Sequence, residues 1–232
     1  MDILSKVKGY REAENQLKWE GTFREYLEIL KERPEVAQTA HARVYSMIKS
    51  AGHSDENGKK SYKFFEQEMF GLDEALERLV EEYFHPAAKR LDVRKRILLL
   101  MGPVSGGKST IVTLLKRGFE EYSRTDKGAV YAIKGCPMHE DPLHLIPTHL
   151  REDFFEEYGI RIEGSLSPLN SMRLEQEYGG KVEDVLVERI FFSEDKRVGI
   201  GTFTPSDPKS QDIADLTGSI DFSTIAEFGS ES

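Results

Sequence analysis

The sequence predicts an α/β protein in which a parallel sheet with flanking helices follows a helical amino-terminal region. Three observations carry that expectation. Ile97, Leu98, Leu99, Leu100 and Met101 form a short unbroken apolar run, the pattern of a strand buried on both faces. A glycine-rich loop follows at once, and beyond it Ile111, Val112, Leu114, Leu115 and Phe119 recur at helical spacing. Ala129, Val130, Tyr131, Ala132 and Ile133 then read as a second strand, so that strand, loop, helix and strand make one βαβ unit over residues 94–134.

The elements around this unit follow from their spacing. Phe23, Tyr26, Leu27 and Leu30, then Val36, Val44, Met47 and Ile48, predict two amphipathic helices broken near Pro34. Residues 52–60 are polar and glycine-punctuated, which predicts an exposed loop. Leu72, Ala75, Leu76, Leu79, Val80 and Tyr83 share one face of a third helix, and His85-Pro86 disturbs its end. The proline-rich stretch 136–147 reads as an ordered loop that leads to a short acidic helix near residues 151–158. Further on, residues 188–193 and 197–203 flank Glu194-Asp195-Lys196, which suggests two antiparallel strands and a turn. The chain divides on this reading into a helical region and loop, residues 1–60, and an α/β region, residues 61–232.

Composition narrows the function. With 232 residues the chain is long enough for a real core. Its net charge of −9 opposes the phosphate attraction that dominates nonspecific nucleic-acid affinity, so no nucleic-acid partner is expected. No apolar run is long enough for a membrane span, and the first residues lack a basic start followed by a long apolar stretch. A cytoplasmic location without a membrane partner is expected. The single cysteine, Cys136, has no intramolecular disulfide partner and reads as a buried or half-buried reduced thiol.

The chemistry sits in Gly102-Pro103-Val104-Ser105-Gly106-Gly107-Lys108-Ser109, which satisfies G-x-x-x-x-G-K-[ST] between an apolar run and an amphipathic helix. Glycines let consecutive amides turn inward on phosphate oxygens, and the helix that begins near Lys108 adds its positive end. The pattern predicts a cofactor site for ATP and Mg²⁺ over residues 102–110, Thr110 included. Lys108 is the catalytic candidate, reaching the β and γ phosphates, and Ser109 is the Mg²⁺ ligand. Hydrolysis or transfer also needs an acidic pair at the end of a second strand. Glu194 and Asp195 are the best candidates, and a hairpin turn is the competing reading.

Residues 94–110 around that loop, with Tyr131-Ala132-Ile133-Lys134-Gly135-Cys136-Pro137-Met138-His139-Glu140-Asp141-Pro142-Leu143, residues 199–203 and residues 207–212, closely resemble the bacterial PrkA family. The resemblance runs essentially end to end. It implies an AAA+-type P-loop ATPase module at the amino-terminal end of a longer serine protein kinase, with a protein substrate and a ring-shaped homo-oligomer in the complete protein. Some members of the family are described as AAA+ proteases, which keeps open a second reading: a nucleotide-dependent regulatory or protease-associated module that does not transfer phosphate. The resemblance further implies a strand order of 5-1-4-3-2, with residues 97–101 central. The acidic strand-end motif, arginine finger and kinase-like region would then lie beyond Ser232, leaving the sheet incomplete at the carboxy end. Such a segment is expected to be marginal in stability, since each unpaired buried backbone group costs about 1–3 kcal/mol.

Two weaker likenesses attach to the same family. Residues 214–221 are similar to a segment that AAA+ relatives of magnesium chelatase carry on a partner-facing surface, with a surface loop capped by Ser223 as the alternative. Phe70-Gly71-Leu72 is similar to the linker that backs the adenine ring, and a plain helix start is the alternative. His139, His144 and His149 are read as a solvated loop, because Pro142 and a five-residue spacing suit a helical metal site poorly. Lys89, Arg90, Arg94, Lys95 and Arg96 read as a solvated basic edge that would steer nucleotide at most. Ser105 has no nucleophile elbow around it, and neither a His-Arg-Asp loop nor Asp-Phe-Gly occurs.

Overall fold

The computed structural model describes residues 3–56, 59–91, 95 and 97–204. The segment 214–221, Ser223, residues 207–212, Arg94 and Arg96 lie outside the described residues.

In chain order, α1 (Ile3–Leu17) leads through β1 (Glu20–Thr22) into α2 (Phe23–Glu32). Thr22 and Glu25 form a reciprocal capping box that starts α2, with the Thr22 amide donating to Glu25 Oε2 at 2.7 Å. Phe23, Tyr26 and Leu30, three and four apart, bury the inner face. Pro34 ends the helix as expected, and a 3₁₀ turn (Pro34–Ala37) leads to α3 (Ala40–Ser50), capped by Thr39. The stretch read as a loop is instead a hairpin, β2 (His53–Glu56) against β3 (Lys59–Tyr62). Its polar residues conceal the alternation that marks a half-buried strand. Next come α4 (Lys63–Glu66), α5 (Asp73–Arg78), a π-helical turn (Leu79–Phe84) and α6 (His85–Ala88), so the third helix is wound wider just before Pro86. The second half holds α7 (Lys108–Ser123), β4 (Val130–Ile133), α8 (Arg151–Tyr158), α9 (Pro168–Tyr178) and β5 (Leu186–Ile190).

The main sheet has the order β1-β5-β4, and both pairings are antiparallel, with Val130 opposite Ile190 and Glu20 opposite Glu188. The sequence reading expects a parallel sheet and a βαβ unit whose first strand is residues 97–101. Among the described residues that run joins no sheet. Ile97 is 94% exposed and Leu99 72%, while Leu100 alone packs partly on the core. An apolar run reports what the side chains would bury, but a strand also needs a neighbour for its amides. Past Ile190, the second strand expected over 197–203 is reduced to one bridge, Ser193 with Val198.

Two apolar clusters hold the elements. One joins Phe23, Tyr26 and Leu30 to Tyr131, Ile133 and Val187 across the sheet; the other joins Met47, Ile48, Phe65 and Val80 to Ile111, Leu114 and Phe119 of α7. Burial of each such side chain is worth about 1.5–3 kcal/mol, and the second cluster is what fixes α7. Arg43 bridges the clusters. Its buried guanidinium donates to the carbonyls of Gly128, Ala129 and Val36 at 2.8–3.0 Å, and burial lowers its pKa. Gly128 is obligatory there, because a Cβ would lie 1.9 Å from the Tyr122 carbonyl oxygen.

Candidate functional site: a phosphate loop at the start of α7

Residues 102–109 wrap the amino-terminal end of α7. Gly107 is the residue before its first turn and is left-handed, φ 77° and ψ 2°, and no side chain caps the helix. The first intrahelical bond runs from the Ile111 amide to the Gly107 carbonyl at 2.9 Å. The amides of Lys108, Ser109 and Thr110 therefore have no helical acceptor, and together with the helix dipole they form an anion-seeking end. Ser105 is also left-handed, φ 65°, and the Gly106 amide closes a tight turn on the Pro103 carbonyl at 3.2 Å. Left-handed residues at alternate positions turn successive amides toward one side, the backbone form of an anion nest.

The side chains complete the donor set. Lys108 Nζ lies over the loop and donates to the carbonyls of Gly102 at 2.9 Å and Pro103 at 2.5 Å. Ser109 is exposed and Thr110 half-buried at the helix start, while Val104 at the loop tip is 95% exposed. From the other side, Met69 and Leu72 pack on Gly107, where a Cβ would stand 2.8 Å from Met69 Cε and 3.3 Å from Leu72 Cδ1. Phe70-Gly71-Leu72 is thus brought to the phosphate loop, with Phe70 80% exposed beside it and Gly71 left-handed, φ 70°. Met69 is the contact that sequence reasoning missed. It precedes the recognised tripeptide and carries no signal of its own.

Free amides, an ammonium and an exposed hydroxyl on one helix end fit the polyphosphate of a nucleotide with its Mg²⁺. The proposed acidic pair does not join them. Glu194 accepts from Lys116 Nζ at 2.5 Å, about two turns along α7 from Ser109, and from Thr202 Oγ1. Those two hydrogen bonds hold its carboxyl below the usual range. The Glu194 amide donates to Glu120 Oε1, and Asp195 is exposed. Glu194 therefore staples a turn to α7, the turn reading of this segment.

The histidine loop is likewise organised. His144 contacts Glu140 through Nδ1 at 3.0 Å and the Glu163 carbonyl through Nε2 at 2.8 Å, so it belongs to a half-buried knot and not to a solvated loop. Glu140 also accepts from the Ser167 amide and hydroxyl and from Asn170 Nδ2, and Asn170 reaches Cys136 Sγ at 3.1 Å. Burial pushes the Glu140 carboxyl up, but these hydrogen bonds outweigh it and leave the pKa below the ordinary value. Among the described residues no three His, Cys, Asp or Glu side chains are grouped to hold a metal ion. Cys136 is buried, as expected. No helix among the described residues is long and apolar enough to cross a membrane.

The model of the PrkA AAA domain matches residues 21–232. The chain belongs to the PrkA AAA domain family. That membership implies a P-loop NTPase fold and nucleotide binding, in agreement with the loop at α7. The chain is 78% identical over all 232 residues to a Bacillus subtilis protein named ATP-dependent protease PrkA, and spans 37% of that protein's length. It is 75% identical over 97 residues, 42% of the chain and 100% of the relative, to an uncharacterized protein in the gldA 5' region of Geobacillus stearothermophilus. Over 175 residues it is 31% identical to the serine/threonine kinase YeaG of Escherichia coli K12, covering 72% of the chain and 26% of that kinase. No solved structure matches the chain.

Proposed function

We propose that this PrkA AAA domain is the ATP-binding module of a larger ATP-dependent enzyme acting on protein. The observation that carries the reading is the start of α7, where left-handed Gly107 presents three unbonded amides beside the Lys108 ammonium and the Ser109 hydroxyl. Lys108 exchanges its two loop carbonyls for phosphate oxygens when nucleotide enters, so its charge is neutralised without a large movement. Ser109 and Thr110 bring amides to the same oxygens, and the Ser109 hydroxyl is the Mg²⁺ ligand. The metal, once bound, would offset the charge that builds on the phosphates. Met69 and Leu72 keep Gly107 in place, and exposed Phe70 offers a flat apolar surface to the base.

Two readings of the larger enzyme follow. A PrkA-type serine protein kinase is supported by the name of the 31% identical relative, and the alternative, a protease-associated ATPase module that transfers no phosphate to protein, by the name of the 78% identical one. A γ-labelled ATP assay on a chain extended past Ser232 separates the two. Label on a protein serine, lost in Lys108→Ala, supports the kinase. Release of free phosphate alone, equally lost in Lys108→Ala, supports the protease-associated module.

A further inference from the structure

Three basic side chains strap down the loop between α8 and α9, residues 159–167. Arg90 donates to the Glu163 carboxylate at 3.0 Å and to the Arg161 carbonyl at 2.9 Å. Arg151, the first residue of α8, donates to the Gly164 carbonyl at 2.7 Å and to the Ile146 carbonyl at 3.2 Å. His144 is the third strap, with Nδ1 on Glu140 Oε1 at 3.0 Å and Nε2 on the Glu163 carbonyl at 2.8 Å. The fit is close. At Gly164, φ 91°, a Cβ would stand 2.8 Å from Nε2, so glycine is what lets ring and backbone approach.

Both partners of His144 are acceptors. A carbonyl oxygen cannot donate, and the Glu140 carboxylate already receives the Ser167 amide and hydroxyl and Asn170 Nδ2, as an ionised group does. A neutral imidazole has one N–H and one lone pair, so either tautomer would turn a lone pair on an oxygen 3.0 Å away or closer. Only the imidazolium makes both bonds. The charged groups around the ring are Glu140 and Asp141 on its own segment, Arg151, and Glu163 on the facing loop, whose carboxylate Arg90 takes. Imidazole is the side chain that gives up its charge between about pH 5 and 8, whereas both guanidinium straps keep theirs.

The strapped loop also covers the chain's single cysteine. Ile162 and Leu166 pack on the apolar cluster that contains Cys136, and Asn170, in the first turn of α9, donates to Cys136 Sγ at 3.1 Å. Cys136 is 3% exposed.

We propose that His144 is a proton-operated latch: as the imidazolium it ties loop 159–167 to Glu140 and keeps Cys136 covered, and loss of its proton opens the loop. Through the neutral range the latched form binds more protons than the open form, so opening grows as pH rises. The assignment does not rest on the phosphate loop.

Thiol labelling reads the latch directly, because Cys136 is the only cysteine of the chain. The rate with iodoacetamide is divided at each pH by that of free N-acetylcysteine, so that thiol ionisation cancels. From about pH 6 to about pH 8 this ratio is expected to rise about tenfold, the effect of losing one charge-assisted hydrogen bond. His144→Gln, neutral throughout, labels faster than the parent at about pH 6 and shows no rise; circular dichroism confirms its fold. Nitrogen NMR of the parent needs no variant and should find protons on both ring nitrogens of His144 at about pH 6. A flat ratio in the parent, a rise that persists in folded His144→Gln, or a single ring N–H on His144 at that pH overturns the proposal.

Discussion

Replacement of Gly107 by alanine probes the geometry of the phosphate loop at its tightest point. The left-handed backbone at φ 77° costs a residue with a Cβ about 1–2 kcal/mol. The new methyl would also stand 2.8 Å from Met69 Cε and 3.3 Å from Leu72 Cδ1. Met69 can swing its terminal methyl aside, and Leu72 must leave its rotamer in part, which together cost about 0.5–1.5 kcal/mol. The sum is about 1.5–3.5 kcal/mol, and a domain of this size loses about 2–4 °C of Tm per kcal/mol. Differential scanning calorimetry should therefore show Gly107→Ala melting several degrees below the parent, with weakened ATP binding as the first amides of α7 tilt. Gly102→Ala is the internal control, since nothing lies within 4 Å of its Cβ position and its φ is not left-handed. If Gly107→Ala melts with the parent and binds ATP as well, the left-handed start of α7 is wrong and the reasoning with it.

Two further outcomes check the fold. Leu99→Gln should change stability by no more than about 0.5 kcal/mol, because the side chain is 72% exposed; a loss of about 2–5 kcal/mol in urea unfolding would restore the buried central strand. Glu140 has a folded pKa below its ordinary 4.5, so the stability it contributes is present above the unfolded value and is lost as pH falls through the folded one. Glu140→Gln should flatten the stability–pH curve below about pH 4.5, and an unchanged acid limb contradicts the hydrogen-bond knot.

How far the sequence speaks depends on the range of the interaction that shapes each part. The loop 102–109, α7 after it and the break between α2 and α3 are written in neighbouring residues: glycines, a helical apolar stripe and Pro34. Strand 130–133 was legible for the same reason, through its continuous apolar side chains. Its direction was not. Val130 pairs with Ile190, a partner sixty residues away, and local periodicity carries no information about which strand arrives or from which end. The hairpin 53–62 was hidden because its exposed strands are polar, and the Glu140 knot because its partners Ser167 and Asn170 lie in α9 and the turn before it. Within the candidate site, Lys108 and Ser109 were legible from the motif, whereas the contact of Met69 with Gly107 depends on tertiary packing. The acids Glu194 and Asp195 were visible as residues, but the attachment of Glu194 to Lys116 was not.

The central claim, that α7 begins in a nucleotide-phosphate site, is tested most directly by calorimetric titration of the chain with ATP in the presence and absence of Mg²⁺. The account predicts saturable one-to-one binding that Lys108→Ala weakens at least about tenfold, and a Mg²⁺ enhancement that Ser109→Ala removes. Saturable ATP binding of equal strength in the parent and in Lys108→Ala, or no binding by the folded parent at all, contradicts it.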